Sequence, residues 1–302
     1  MSPGLNDRLA GAVWGHLVGD AMGVPYEFSA PGSITDVVWG HNGSHRQPPG
    51  TWSDDGALML ALLDSLLTAG FDLDDQGRRA LSWRASGAYA PGGKVFDIGG
   101  TTGVALGRVA AGTPAAQAGD SGEGQNGNGS LMRILPIALV GRAESRETLV
   151  AQAAAGSAMT HAHPRSQVCC AVYVLIAHDL LLGATDLQDV LARAFDTARD
   201  DLPAENLAEL DLVQQYPQRT GGGYVVDSFW SAWDAFAGAS SYADTIERAI
   251  RYGKDTDTTA CIAGGLAGLH WGIDAIPSQW RDGMRDQETV TPIVQRLLAS
   301  SQ

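Results

Sequence analysis

The chain has 302 residues, of which 44% are hydrophobic, so it is long enough to bury a large core. Its 34 acidic residues outnumber its 20 basic residues, which gives a formal net charge of -14. This balance argues against a general nucleic-acid binder, because neutralising phosphates requires clustered Lys and Arg. It does not exclude a phosphate-bearing small molecule, since backbone N–H groups and metal ions hold phosphates without net positive charge.

Three cysteines, Cys169, Cys170 and Cys261, lie in apolar segments with helical periodicity, and their odd number excludes a complete disulfide framework. This pattern predicts buried, reduced thiols. The N-terminus shows no signal-peptide pattern, and no apolar run approaches the ~20 residues that span a bilayer. We therefore expect a cytoplasmic protein with no membrane association, and its acidic composition without an apolar stripe favours a monomer.

Apolar residues recur at helical spacing along almost the whole chain. The first predicted helix carries Leu9, Val13, Leu17 and Ala21 on one face and stops near Gly23. A second, over residues 57–67, is apolar nearly all round and should be central. Further helices are predicted over residues 148–159, 166–182, 186–200, 227–236, 242–251 and 258–271.

Strand patterns are weak, since residues 37–39 are too few and no alternating run of useful length is present. The glycine-rich segments 92–103 and 119–130 are predicted to be loops. The last predicted helix, rich in Ala and Gly, suits close contact between helices. We predict one all-α domain over residues 1–302, a compact multi-helix bundle.

Two predicted helices begin with clusters of acidic and hydroxyl side chains. One cluster is Ser53, Asp54 and Asp55, and the other is Asp255, Thr256, Asp257 and Thr258. Either cluster, taken alone, is explained by helix capping and by the helix dipole. Both nevertheless lead into the most apolar helices of the chain, where uncompensated carboxylates are costly. If the clusters meet, their hard oxygen donors would select magnesium, manganese or calcium rather than zinc.

The second cluster, followed by its Ala/Gly-rich helix, resembles the C-terminal metal motif of the ADP-ribosylglycohydrolase family, which includes the dinitrogenase reductase-activating glycohydrolases. Four further segments resemble motifs of that family in the same order. They are the N-terminal signature at 15–27, the first metal motif at 52–55, the asparagine-glycine and methionine-arginine motif at 128–133, and the threonine-histidine segment at 160–161. Together the five motifs extend over almost the whole chain.

The resemblance implies an all-α fold with a binuclear metal site at the base of a cleft, holding two Mg²⁺ ions or Mn²⁺ in their place. One ion would be held by Ser53, Asp54, Asp55 and Asp257, and the other by Asp55, Asp255, Asp257 and Thr258. The family usually has Thr in place of Ser53, but a serine hydroxyl can also coordinate. Gly56, where related bacterial members often carry Thr, leaves nearby substrate contacts undecided.

Glu27 and Asp97 are the candidate catalytic residues. Cleavage at the anomeric carbon of a ribose needs a carboxylic acid that assists the leaving group or the water. Glu27 follows the predicted end of the first helix, so it is expected on a loop facing the cleft. Sequence alone also allows a solvated glutamate and a turn aspartate at these positions. The resemblance implies that Glu27 lies near the ribose and that Asp97 approaches the scissile bond, and which one acts as acid or base stays open.

A third group of residues is expected to bind the substrate. Backbone amides of small residues at a loop–helix junction suit anions, although a flexible surface loop is the alternative. The resemblance implies that residues of this group line the path of the diphosphate. It also implies that His161 lies near the ribose or phosphate and that Tyr224 or Val225 packs on adenine. The predicted set is Gly99, Gly100, Gly124, Gln125, Asn126, Gly127, Asn128, Gly129, His161, Tyr224 and Val225.

Two other polar residues are given structural roles. Arg133 is predicted to be a buried ion-pair partner rather than a phosphate ligand, and Asp20 to support the metal ligands or to cap a helix. Sequence alone also allows His161 and Tyr224 to be ordinary core residues.

The sequence as a whole predicts a magnesium-dependent hydrolase that releases ADP-ribose from a modified protein. Arginine is the favoured acceptor because related bacterial enzymes use it. Serine-, nucleic-acid- or small-molecule-linked ADP-ribose are the alternatives. A non-catalytic ADP-ribose binder is disfavoured by the retained carboxylates, and two-metal hydrolysis of a phosphoester or diphosphate is a further possibility.

Overall fold

The computed structural model describes residues 3–300, and this part of the chain forms fourteen α-helices joined by loops and short 3₁₀ turns. The helices are α1 Leu5–Gly23, α2 Asp54–Ala69, α3 Leu73–Ser86, α4 Gly100–Ala110, α5 Pro136–Val140, α6 Arg146–Ala158, α7 Pro164–Leu181, α8 Leu187–Asp201, α9 Leu207–Gln214, α10 Val225–Ala237, α11 Tyr242–Arg251, α12 Thr256–Trp271, α13 Ser278–Asp282 and α14 Gln287–Ala299. Within residues 3–300 there is no β-strand, and β pairing is limited to two isolated bridges. The predicted all-α class is confirmed.

Helices α1 and α12 pack backbone against backbone along a seam of glycines. Gly11, Gly15, Gly19 and Gly23 occupy every fourth position of α1, so they share one face of the helix. A Cβ atom at any of the four would lie closer than 3.0 Å to the backbone of α12 or of the turn after it. The absence of side chains therefore allows this close approach. It places the C-terminal end of α1 directly against the first turn of α12.

The hydrophobic core lies around α2, α7 and α12. In α2 the apolar side chains are buried on all sides of the helix up to Leu66, as its sequence predicted. The three cysteines are buried and free, which confirms the predicted unpaired thiols. Between residues 3 and 300, no helix combines the length and the apolarity needed to cross a membrane.

The prediction of a loop over residues 92–103 is wrong at its end, because α4 begins at Gly100. The predicted helices also do not include α3, α5, α9, α13 and α14. Helix α3 is largely polar, and its N-cap is Asp72, whose carboxylate accepts the backbone N–H groups of Asp74 and Asp75. Helix α14 contains Pro292. The local helical pattern is weakened by three glycines in α4, by a polar composition in α3 and by a proline in α14. These segments are nevertheless helical, because tertiary packing outweighs a weak local propensity.

Candidate active site

The two acidic helix starts meet at the base of one cleft. The Sγ atom of Cys261, in the second turn of α12, lies 3.1 Å from Oδ2 of Asp55 at the start of α2. The cleft has a volume of about 200 Å³. It is lined by Glu27, Asp54, Asp55, Asp97, Gly99, Gly100, Thr101, Thr102, Gly127, Asn128, Gly129, Met132, His161, Asp255 and Thr258.

The first turn of α2 is hydrogen-bonded to Asp20 of α1. The carboxylate of Asp20 accepts the backbone N–H of Ser53 at 2.9 Å and that of Gly56 at 2.8 Å. Ser53 is the N-cap, and its Oγ accepts the N–H of Asp55 at 3.2 Å. Burial raises the pKa of Asp20 to about 7, against the effect of these N–H groups. Asp20 therefore supports the helix start, in agreement with its predicted role, and does not line the cleft.

The first turn of α12 is held by Asn128. Its side-chain amide donates to Oδ2 of Asp255 at 2.8 Å and to Oγ of Ser228 at 2.9 Å. Asp255 occupies the N-cap position, but its side chain makes no capping hydrogen bond. Because its carboxylate is not used for capping, it is turned toward the cleft. Asn128, predicted to bind substrate, thus also orients an acidic residue of the site.

The carboxylates at the two helix starts carry no compensating cation from the protein. Asp54, Asp55 and Asp257 are buried, and burial together with the neighbouring carboxylates raises their pKa values well above the usual range. Between residues 3 and 300, no Lys or Arg forms an ion pair with any of them or with Asp255. Oδ2 of Asp257 is buried without a hydrogen-bond partner. A hard divalent cation fits this donor set, because it would satisfy that oxygen and offset the negative charge.

A set of potential metal ligands also forms on the Glu27 side of the cleft. One donor atom from each of Glu27, His45, Asp97 and Asp257 lies within 4.8 Å of the others. Asp257 is common to this cluster and to the predicted ligand set. His45 was not among the predicted site residues.

Glu27 reaches the cleft through a constrained segment of backbone. The N–H of Phe28 donates to the carbonyl of Lys254 at 2.6 Å, and the N–H of Lys254 donates to the carbonyl of Ser29 at 2.9 Å. Phe28 and Lys254 both adopt positive φ angles, +66° and +58°. Such conformations are costly for residues other than glycine and persist where surrounding contacts hold them. Here the paired backbones place Glu27 next to Asp255.

Glu27 and Asp97 form a hydrogen-bonded pair of carboxyl groups in the cleft. Burial, followed by the charges of Asp97, Asp255 and Asp55, raises the pKa of Glu27 to about 9. The interaction between the two side chains further raises the pKa of Glu27 and lowers that of Asp97. Burial raises the pKa of Asp97 also, against the nearby charge of His45. The crowded carboxyl groups therefore favour retention of a proton, with Glu27 the more strongly shifted of the two.

His161 lies in the cleft wall as a neutral hydrogen-bond donor. Arg133 donates from Nη2 to Oγ1 of Thr160 at 2.9 Å, and that hydroxyl lies 2.8 Å from Nδ1 of His161. Since the hydroxyl of Thr160 already accepts from Arg133, its own proton is available to Nδ1, which favours the tautomer of His161 that is protonated at Nε2. Burial, with the charge of Arg133, lowers the pKa of His161 to about 3. Nε2 is the ring nitrogen near Gly127 and Gly129 of the cleft.

Arg133 is buried, as predicted, but the predicted ion pair is wrong. Its guanidinium donates to the carbonyls of Gly129 and Gly156 and to the hydroxyl of Thr160. Of these acceptors, Gly129 lines the cleft and Thr160 directly precedes His161, which also lines it. Arg133 therefore stabilises the cleft wall through neutral acceptors.

The predicted diphosphate segment divides into cleft residues and supporting residues. Gly127, Asn128 and Gly129 line the cleft, whereas Gly124, Gln125 and Asn126 do not. Gln125 accepts the hydroxyl of Thr101 at 2.7 Å. Asn126 is buried; its amide donates to the carbonyl of Glu123, and its side-chain oxygen accepts the hydroxyl of Ser166. These contacts fix the backbone of the segment.

Tyr224 and Val225 lie beside the cleft and do not line it. Val225 is fully buried, and its N–H donates to the carbonyl of Asn126 at 2.9 Å. The half-buried ring of Tyr224 packs edge-on against Tyr216, with centroids 5.7 Å apart, and the guanidinium of Arg165 lies 5.9 Å from its centre.

Four residues of the site were not among the predicted ones: His45, Thr101, Thr102 and Met132. Thr102 is buried in the cleft wall, and its hydroxyl has no hydrogen-bond partner between residues 3 and 300. It lies where the glycine-rich segment was taken for a loop. His45 lies in a loop without periodicity, where nothing in the sequence separates it from His41.

The whole chain, residues 1–302, matches a family model described as ADP-ribosylglycohydrolase. It is 30% identical to the ADP-ribosylarginine hydrolase Tri1 of Pseudomonas putida over 295 residues, which cover 96% of this chain and 78% of that protein. It is also 30% identical to the ADP-ribosyl-[dinitrogen reductase] glycohydrolase of Rhodospirillum rubrum, over 92% of this chain and 90% of that one. A solved structure, an ADP-ribosylglycohydrolase-related protein complex, aligns with a TM-score of 0.82 and 31% identity over 99% of both chains.

Proposed function

The chain belongs to the ADP-ribosylglycohydrolase family and is a glycohydrolase, and from that premise we propose that it releases ADP-ribose from an arginine side chain of a modified protein. The observation that carries the proposal is the meeting of two acidic helix starts with the Glu27–Asp97 pair in one cleft. The arginine acceptor is supported by the similarity to the ADP-ribosylarginine hydrolase Tri1.

We assign two divalent cations, magnesium by preference and manganese as a substitute, to the oxygen donors of the helix starts. The ligands would be Ser53, Asp54, Asp55, Asp255, Asp257 and Thr258. Hard oxygen donors and the unpartnered, buried Oδ2 of Asp257 support this assignment. When bound, such cations supply charge neutralisation, orient sugar hydroxyls and favour ionisation of water.

Glu27 is the proposed general acid. Its proton passes to the acceptor nitrogen as the bond to the anomeric carbon breaks, and a water molecule supplies the new oxygen at that carbon. Asp97, the ionised partner, takes up the proton that the water loses. The raised pKa of Glu27, about 9 through burial and the neighbouring carboxylates, supports this assignment, since a carboxyl that keeps its proton at neutral pH is able to donate it.

Backbone and side-chain donors of the opposite wall are proposed to hold the diphosphate. Gly99 is the N-cap of α4 and Gly100 its first residue, and the positive end of the helix dipole favours an anion there. The Nε2–H group of His161 adds a neutral donor. Together these groups would bind phosphate oxygens in a cleft without a positively charged side chain among its lining residues.

The proposal is tested by giving the protein arginine-, serine- and nucleic-acid-linked ADP-ribose, each with magnesium or with EDTA, and identifying the products. Free ADP-ribose from the arginine conjugate in magnesium supports it. Release from another conjugate alone would reassign the acceptor. AMP would indicate diphosphate cleavage, and binding of ADP-ribose without turnover of any conjugate would indicate a binder.

Asp257→Ala should abolish turnover and bound metal together, because the variant removes a carboxylate assigned to both ions. Asp282→Ala is the matched control, since that carboxylate is exposed and remote from the cleft. Metal content measured by elemental analysis and turnover measured on the arginine conjugate check the result. Full activity of Asp257→Ala in metal-free buffer would rule out the binuclear assignment.

A further inference from the structure

We propose that His45 is a positioning residue for Glu27, and that its imidazole, held between Phe28 and Phe96, keeps the Glu27 carboxyl directed at Asp97. The kinetic consequence rests on the proposed function. The structural consequence, the orientation of Glu27 itself, does not depend on it.

The side chain of His45 is enclosed on three sides. Its Nε2 atom contacts Oε2 of Glu27. The ring centroid lies 5.6 Å from that of Phe28 and 5.3 Å from that of Phe96, with interplanar angles of 47° and 51°. Only 15% of the side chain is exposed. Two aromatic neighbours restrict rotation of the imidazole, so its contact with Glu27 has a defined direction.

The loop that carries His45 is attached to the 3₁₀ turn Val24–Tyr26, which directly precedes Glu27. The N–H of Ser44 donates to the carbonyl of Pro25 at 3.2 Å, and its hydroxyl donates to the carbonyl of Val24 at 3.1 Å. A Cβ at residue 43 would overlap the carbonyl group of Pro25, so this approach requires Gly43. Because His45 and Glu27 are fixed to one support, the distance between them is set locally.

The contact with His45 fixes one end of the Glu27 side chain. The Nε2 atom of His45 meets Oε2 of Glu27, and donor atoms of His45, Glu27 and Asp97 lie within 4.8 Å of one another. A carboxyl group that is held through one oxygen by a side chain of fixed orientation is restricted in its rotamer. His45 therefore determines the direction in which the Glu27 carboxyl faces Asp97.

A different role for His45 would be coordination of a metal, since its donor atom belongs to the cluster with Asp97 and Asp257. The contact with Glu27 argues against this role, because the same Nε2 atom cannot donate a proton to Glu27 and coordinate a cation. The two roles differ in one measurable quantity, the number of metal ions retained when His45 is replaced.

The experiment compares His45→Ala and His45→Gln with His41→Ala as the matched control. His41 lies in the same loop and stacks on Tyr26 with a centroid distance of 4.6 Å, outside the cleft lining. For each variant, kcat and KM on an ADP-ribosylarginine conjugate, the Kd of ADP-ribose, the metal content and a crystal structure are determined. Imidazole is added to the His45→Ala protein, because the space between the two phenyl rings matches the small molecule.

We expect His45→Ala to lower kcat at least tenfold while the Kd of ADP-ribose and the metal content stay within twofold of the wild-type values. His45→Gln, whose amide can donate to Glu27, should recover part of kcat, as should imidazole. The His45→Ala crystal structure should show the Glu27 carboxyl turned away from Asp97, and His41→Ala should match the wild type.

Two results would overturn the proposal. An unchanged Glu27 carboxyl in the His45→Ala structure would show that His45 does not position it, whatever the protein hydrolyses. Loss of bound metal from His45→Ala would make His45 a ligand instead. If the wild-type protein releases no ADP-ribose from any conjugate, the proposed function fails, and the orientation of Glu27 in the two structures still decides the role of His45.

Discussion

Replacing one glycine of the seam between α1 and α12 should disturb both stability and the metal-binding end of α12. At Gly19, an added Cβ would overlap the carbonyl group of Ala260, whose carbon would lie 2.8 Å away, and would lie 3.2 Å from Cα of Cys261. Carbon atoms in favourable contact are about 3.5–4.0 Å apart, so the two helices would have to separate by most of an ångström. The atoms in the way belong to the backbone of a buried helix and cannot rotate aside.

Overpacking of a core costs about 1–3 kcal/mol, and a backbone obstacle places Gly19→Ala at about 3 kcal/mol or more. Each kcal/mol of lost stability lowers Tm by about 2–4 °C in chains somewhat shorter than this one. The Tm of Gly19→Ala should therefore fall by roughly 6 °C or more. Ala260 lies less than one turn from Asp257, so the displacement should also lower kcat at temperatures where the variant is folded. Calorimetry and turnover of the arginine conjugate measure the two effects.

Gly107→Ala is the control for this prediction. Gly107 is an exposed position inside α4, and outside the backbone of its own helix an added Cβ there would meet only Nη1 of Arg84, at 3.9 Å. Alanine is favoured over glycine by up to about 1 kcal/mol in a helix, so this variant should be slightly more stable than the wild type. If Gly19→Ala left Tm within about 1 °C of the wild-type value, the seam would not be the tight contact described above.

Three further predictions concern the carboxylates and their supports. The pKa of Glu27 is raised to about 9 and its protonated form is the proposed acid, so kcat should fall as the pH rises through that pKa, or through a lower one when bound cations reduce it. Glu27→Gln should be slow, and its pH profile should lack this fall in kcat at high pH. Asn128→Ala should lower kcat and metal content because it frees Asp255, with kcat about tenfold down, while Ser228→Ala should have the smaller effect because it leaves that hydrogen bond in place. Asp20→Asn should lower the free energy of unfolding, measured in urea at pH 7, by about 1–3 kcal/mol, because an amide has a single acceptor oxygen for the N–H groups at the start of α2. An unchanged midpoint of urea unfolding would contradict the support described for Asp20.

Much of this architecture could be predicted from the sequence because it depends on local pattern. The spacing of Leu9, Val13, Leu17 and Ala21 predicted α1, and the apolar run after Asp55 predicted a central α2. Helix capping was one explanation of the cluster at 53–55, and Ser53 is the N-cap of α2. The two acidic helix starts were recognised by composition, and the ordered motifs linked them to one family. These features need only residues close together in the chain.

The meeting of the helix starts needed the tertiary structure, because nothing in the spacing brings Asp55 to Cys261 across 206 positions. The glycine seam of α1 accounts for it, since it holds α12 at backbone distance and so sets the position of Asp257. The sequence predicted only that an Ala/Gly-rich helix would pack closely.

The part of the site that only the tertiary structure decided lies in the loops. His45 and His41 are equivalent in the sequence, and what distinguishes them is that one lies between two phenyl rings against Glu27 and the other stacks on Tyr26. Loop residues have no hydrophobic period to reveal their direction, so their roles depend on long-range contacts. The raised pKa of Glu27 also depends on long-range contacts, because it is caused by burial and by the nearby carboxylates, and neither can be read from the residue type.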